Sequence, residues 1–135
     1  MKQPPPETAL RFIHRDYHPV NVLWQEGKVS GVVDWANACR GPAGVDLGHC
    51  RVELAQLYDV ATADAFLEKY QRLAGAEFSY QPYWDILALF DILFGPPQVY
   101  PGWPAFGFTG LTEQILMERL DLYLLSLLER AGVRP

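Results

Sequence analysis

The sequence predicts an α+β fold in which a small β-hairpin layer is followed by helices. Three observations predict it. Two runs rich in β-branched residues, Val20 to Trp24 and Val29 to Val33, flank the polar, glycine-bearing segment Gln25-Glu26-Gly27-Lys28, the pattern of a hairpin. Beyond Trp35 the chain changes to longer segments bounded by capping and stopping residues. Its 135 residues suffice for one compact domain and not comfortably for two.

Taken in order, residues 1–9 read as a flexible leader, because Pro4-Pro5-Pro6 can join neither a helix nor a central strand. Residues 10–135 read as the folded part. Leu10 to Ile13 suits a short strand, and the hairpin strands follow. Gly41-Pro42-Ala43-Gly44 reads as a loop. Asp46 can cap a helix running to about Asp59, and Thr62 another that ends before Gly75. A third helix is expected over 81–94, stopped by Gly95-Pro96-Pro97. Residues 95–110 then form a long loop whose aromatics, Tyr100, Trp103, Phe106 and Phe108, need something to pack on. The last helix is expected from Thr112 to Ala131. Its apolar positions run round most of the circumference, which predicts burial on more than one side.

Half of the residues are hydrophobic, a fifth are charged, and the formal net charge is -5. The acidic balance and the lack of a basic stripe argue against nucleic acid or an anionic membrane as the main partner. No stretch approaches the ~20 apolar residues of a membrane span, and Met1 to Glu7 does not read as a signal peptide. Cys39 and Cys50 match no zinc or redox spacing, so they read as free thiols in a reducing cytoplasm.

The chemistry is concentrated in His14-Arg15-Asp16-Tyr17-His18-Pro19-Val20-Asn21 and Val32-Val33-Asp34-Trp35. The pattern is H-R-D, four residues, Asn, and then a second Asp across one hairpin. Phosphoryl transfer needs an oriented acceptor hydroxyl and offset phosphate charge. Mg²⁺ wants hard oxygen ligands. Asn21 is expected to start the first hairpin strand and Asp34 to end the second, within a residue of register. Their oxygens can then share one ion. Asp16, on the loop entering the hairpin, can accept a hydroxyl proton. Coincidence is the competing explanation, and agreement of type, order and spacing weighs against it. The alternation of His14, Asp16 and His18 also admits a zinc site, although Pro19 interrupts such a strand. His49 and Cys50 are adjacent on an expected helix, so their side chains diverge and form no nucleophile pair.

H-R-D-Y-H-P-V-N-V-L-W with G-V-V-D-W resembles the aminoglycoside phosphotransferase and choline kinase family. Trp35 and Ala36 stand where a protein kinase has Phe-Gly. The later G-P-A-G-V-D-L-G resembles the family segment whose aspartate, here Asp46, opens a helix beneath the catalytic loop. The resemblance is specific over residues 12–48 and implies a protein-kinase-like C-terminal lobe. It implies Asp16 as catalytic base and Asn21 and Asp34 as Mg²⁺ ligands that carry the ATP phosphates. It makes His14, His18 and Asp46 structural supports. Substrate recognition would fall to the helical part, where Trp84, Asp85 and Asp91 are candidates for an amine-bearing small molecule, against the alternative of core packing and solvated faces.

A kinase of this kind carries an N-terminal lobe with a phosphate-binding lysine ahead of the catalytic loop, and only 13 residues precede His14. The expectation is a C-terminal lobe fragment with half an ATP site, little turnover alone, and an apolar face met by a second copy or a missing lobe.

Overall fold

A computed structural model describes residues 9–133. Residues 1–8, most of the expected leader, lie outside the described residues. Among the described residues the architecture is α+β: two antiparallel strand pairs and four α-helices. Strand β1 (Leu10–Ile13) pairs with β4 (Cys39–Pro42), and β2 (Val22–Gln25) pairs with β3 (Lys28–Val32). The β2–β3 turn is Glu26-Gly27, both at positive φ (51° and 74°), the two-residue geometry that matches strand twist.

The first hairpin strand starts later than expected. Pro19 opens a 3-10 turn through Asn21, closed by the Asn21 N–H donating to His18 O at 3.0 Å. Proline cannot donate to a ladder, so pairing begins only at Val22. Asn21 therefore precedes β2 and Asp34 follows β3. They remain near one another in register, because the Val33 N–H donates to Asn21 O at 2.9 Å.

The expected loop at 41–44 is instead the end of β4 and the first turn of α1 (Ala43–Leu57). Its glycines serve close packing. A Cβ at Gly44 would lie 2.4 Å from the Trp84 ring, and one at Gly48 the same distance from the Trp84 carbonyl oxygen. Thus α1 can lie directly on α3 (Tyr83–Ile92). Helix α2 (Val60–Ala74) starts at Asp59, whose Oδ1 accepts from the Thr62 N–H at 2.7 Å, so Thr62 is the donor of the cap and not the cap itself.

Helix α4 (Glu113–Arg130) begins as expected with Thr112 as its cap. Its burial corrects the expectation of many-sided packing. Leu116, Leu120, Tyr123 and Leu127 form one buried stripe, while Met117, Leu122, Leu124 and Leu125 are exposed. Leu120, Tyr123 and Leu127 of this stripe join Val52, Ala55, Ala63, Ala88 and Leu89 in the core.

A buried ion pair ties the helices together. Arg51, fully buried, donates from Nε to Asp85 Oδ1 (2.8 Å), from Nη1 to Ala63 O (2.9 Å) and from Nη2 to Asp64 Oδ1 (3.2 Å). The hydroxyls of Tyr80 and Tyr123 also donate to Asp85 Oδ1, at 2.8 and 2.7 Å. Both cysteines are free. Among the described residues no helix is long and apolar enough to cross a membrane.

Candidate functional site

The loop between β1 and the 3-10 turn is held from below by α1. Asp46 stands in the first turn of α1, but its carboxylate turns away from that helix. Oδ2 accepts from the His14 N–H at 2.7 Å and Oδ1 from the Arg15 N–H at 2.8 Å. Charge-assisted bonds of this kind are the strong ones. They hold Arg15 at φ 71°, a conformation costly for a side chain with a Cβ. His14 is buried, and its Nε2 donates to Val33 O at 2.7 Å. His14 thus joins β1, α1 and the end of β3 at one point, with Trp35 packed on its ring at 4.5 Å.

This pinning brings Asp16, Asn21 and Asp34 to one cleft of about 470 Å³, which His18, Glu53, Tyr100 and Trp103 also line. The buried Asn21 donates from Nδ2 to Asp16 O at 2.9 Å and to Asp16 Oδ2 at 3.2 Å. Its Oδ1 and the Asp34 carboxylate make no hydrogen bond among the described residues. Asp34 sits at φ 62°, ψ 57°, so the chain turns sharply out of β3 where its side chain enters the cleft. An amide oxygen and a carboxylate are hard donors that fit Mg²⁺. Among the described residues no cluster of three His, Cys, Asp or Glu side chains has metal-binding geometry, and His14, bonded to a carbonyl, is not placed for the zinc alternative.

Two imidazoles flank the base candidate. His18 Nε2 is 3.6 Å and His49 Nε2 3.9 Å from Asp16 Oδ1, and the two rings lie 5.5 Å apart. Burial lowers the pKa of both, for His18 against the pull of Asp16, and for His49 with the added repulsion of His18. They are neutral at neutral pH and stand just beyond hydrogen-bond distance of the Asp16 carboxylate. Glu53 is the other carboxyl of the cleft. Burial first, and the facing Asp16 second, raise its pKa to about 7.

Sequence reasoning missed His49 and Glu53 as members of the site. Both were legible in the helical spacing from Asp46, since positions 46, 49 and 53 fall on one face. His49 does diverge from Cys50, which is buried with its thiol pushed up to about 12 by burial.

The candidate substrate residues separate. Asp85 is buried and saturated by Arg51, Tyr80 and Tyr123, so it cannot meet a ligand; its recognition role is corrected to a structural one. Trp84 is buried between α1 and α3 with its ring against Gly44, so it has no face free for stacking. Asp91 remains exposed, in a small cleft with Arg15, His49 and Leu87.

A family model described as a phosphotransferase enzyme family matches residues 1–90. No curated protein and no solved structure matches the chain.

Proposed function

The chain belongs to the phosphotransferase enzyme family, within the aminoglycoside phosphotransferase and choline kinase group, and we propose that residues 10–133 form the C-terminal catalytic lobe of an ATP-dependent kinase acting on a small-molecule hydroxyl. The observation that carries the reading is the single cleft holding Asp16, Asn21 and Asp34.

In this reading Asp16 accepts the proton of the acceptor hydroxyl as its oxygen bonds to the γ-phosphorus and the bond to the β–γ bridging oxygen breaks. Asn21 Nδ2 orients the base through Asp16 Oδ2, and His18 and His49 flank Oδ1 on the other side at 3.6 and 3.9 Å. Asn21 Oδ1 and Asp34 would hold Mg²⁺, which supplies charge neutralisation for the phosphates when bound. Asp46 and His14 keep the loop in place during transfer.

Among the described residues no lysine or arginine lines the cleft. Phosphate affinity in this part therefore rests on the metal, and the 135-residue chain alone binds nucleotide weakly and turns over slowly. The acceptor is a hydroxyl compound of the amino-sugar or amino-alcohol kind. Transfer of label from γ-labelled ATP to a panel of such acceptors tests the reading. Weak transfer that disappears in Asp16→Asn supports it, and label transfer unaffected by that change refutes it.

The exposed Leu10, Phe12, Trp24 and Trp35, with Phe12 and Trp35 stacked at 5.5 Å, favour a second reading. In it the folded lobe pairs through this face with a second copy, or with a separate chain that completes the nucleotide side. Light scattering over a wide concentration range decides: a monomer throughout rules out the homodimer.

A further inference from the structure

His49 stands between the base and a second, small cleft. Its Nε2 lies 3.9 Å from Asp16 Oδ1. Its ring also lines a space of about 40 Å³ that it shares with Arg15 and Asp91 and otherwise with apolar side chains. Among the described residues the side chains of Arg15, His49 and Asp91 make no hydrogen bond or ion pair with one another. Polar groups that converge without touching call for a bridging water. A water's share of the liquid is about 30 Å³, and it needs two to four polar partners. The cleft has room for one and offers three.

Each of the three is left over for this purpose. His14 and His18 have their Nδ1 sealed from solvent without a partner, and His49 does not. The carboxylates of Asp16, Asp46 and Asp91 all act on the His49 ring. Asp46 already receives the His14 and Arg15 N–H groups on its two oxygens, and Asp16 lies on the Nε2 side. Asp91 is the acceptor that remains for the Nδ1 side. Arg15 sits at φ 71°, where glycine would be unstrained. Its N–H bond to Asp46 needs no side chain. What the strained residue adds over glycine is a guanidinium in this cleft.

The donors and acceptors close on one arrangement. The water accepts from Arg15 and donates to Asp91 and to His49 Nδ1. A neutral ring with a bare Nδ1 carries its proton on Nε2, the nitrogen next to Asp16. We infer that Arg15 and Asp91 hold a water on His49 Nδ1, and that this water fixes the Nε2–H tautomer that offers a donor to the Asp16 carboxylate. Arg15, Asp91 and His49 are then positioning residues for the base, and none touches the reacting atoms. Catalytic hydrogen bonds of this kind tighten in the substrate complex. The inference rests on the phosphotransfer reading.

The test uses the 135-residue chain at pH 8, where His18 and His49 are neutral because burial lowers their pKa. Long-range ¹H–¹⁵N correlation spectra separate the bare ring nitrogen from the protonated one. Wild-type His49 is expected in the Nε2–H form alone. Asp91→Ala and Arg15→Gly should each shift it to a mixture of both tautomers. Asp91→Asn, whose amide oxygen still accepts from the water, should keep the wild-type pattern. Arg15→Gly relieves the backbone and keeps the Asp46 bond, so a change there is not a folding defect. Label transfer from γ-labelled ATP should fall about two- to tenfold in Asp91→Ala and Arg15→Gly, the worth of one hydrogen bond, with the acceptor KM unchanged. A His49 ring unmoved by both changes overturns the inference alone, as does wild-type His49 in the Nδ1–H form. So does an acceptor KM that rises in Asp91→Ala while the ring stays put, the mark of a direct substrate contact. Label transfer that survives Asp16→Asn overturns the phosphotransfer reading and this inference with it.

Discussion

Replacing Glu53 by Gln should stabilise the chain at pH 8 and leave it nearly unchanged at pH 4. Glu53 is a carboxyl on α1, turned into the cleft of Asp16, Asn21 and Asp34, and its one hydrogen bond among the described residues is a long 3.4 Å contact from Gln56 Nε2. Burial and the Asp16 charge raise its pKa from the ordinary 4.5 to about 7. The folded state therefore holds the Glu53 proton more tightly than the unfolded chain does. The stability it contributes is complete below about 4.5, and is lost as pH rises through about 7. At ~1.4 kcal/mol per pH step, the ceiling on that loss is about 3 kcal/mol. Water at the cleft mouth reduces it, and 1–2 kcal/mol is the expected range. Glutamine keeps the shape and cannot ionise. Burial lowers the pKa of His18 and His49, so their contribution is lost as pH falls below the ordinary 6.5. It is common to both proteins and cancels in the difference. Urea unfolding at pH 4, 6 and 8, followed by circular dichroism, gives the three differences. A wild type and variant whose stabilities run parallel across this range would refute the assignment of Glu53 as a half-buried, Asp16-facing acid.

Three further outcomes follow from the packing. Asp85→Ala leaves Arg51 buried without its carboxylate and two tyrosine hydroxyls without their acceptor. It should cost about 3–5 kcal/mol, seen as a lower midpoint in thermal melting, whereas a surface-like loss below 1 kcal/mol would contradict a buried pair. Asp46→Ala removes both acceptors of the His14 and Arg15 N–H groups. Amide exchange at those two positions should accelerate far more than in α2, and equal acceleration everywhere would point to global destabilisation instead. Gly48→Ala drives a Cβ into the Trp84 carbonyl oxygen. It should cost about 1–3 kcal/mol by the same melt, against a near-neutral change if α1 and α3 were loosely packed.

The hairpin and all four helices were legible in the sequence because each rests on local signals: β-branched runs around Glu26-Gly27, a cap at Thr112, and stops at Gly75 and Gly132, although the cap of α2 is Asp59 and not Thr62. The β1–β4 pairing was not legible. Cys39-Arg40-Gly41-Pro42 has no strand composition, and it pairs because β1 lies beside it, a long-range cause that overrides propensity. Gly41 and Gly44 looked like a loop for the same reason. What required them was Ile13 against Gly41 and Trp84 against Gly44, both distant in the chain. Within the site, the order and spacing of Asp16, Asn21 and Asp34 announced a shared location, and they do line one cleft. Asp85 misled because a carboxylate near aromatics reads equally as a ligand contact or as a buried pair. Only the position of Arg51 on another helix distinguishes the two.

The central claim is that Asn21 and Asp34 form the metal side of a phosphotransfer site whose base is Asp16. Titration of the chain with Mn²⁺, read by electron paramagnetic resonance with and without ATP, tests it most directly. The account predicts a bound signal that ATP strengthens, that Asp34→Ala abolishes, and that Asp91→Ala leaves intact. Metal binding that survives Asp34→Ala, or that depends instead on Asp91, would contradict it.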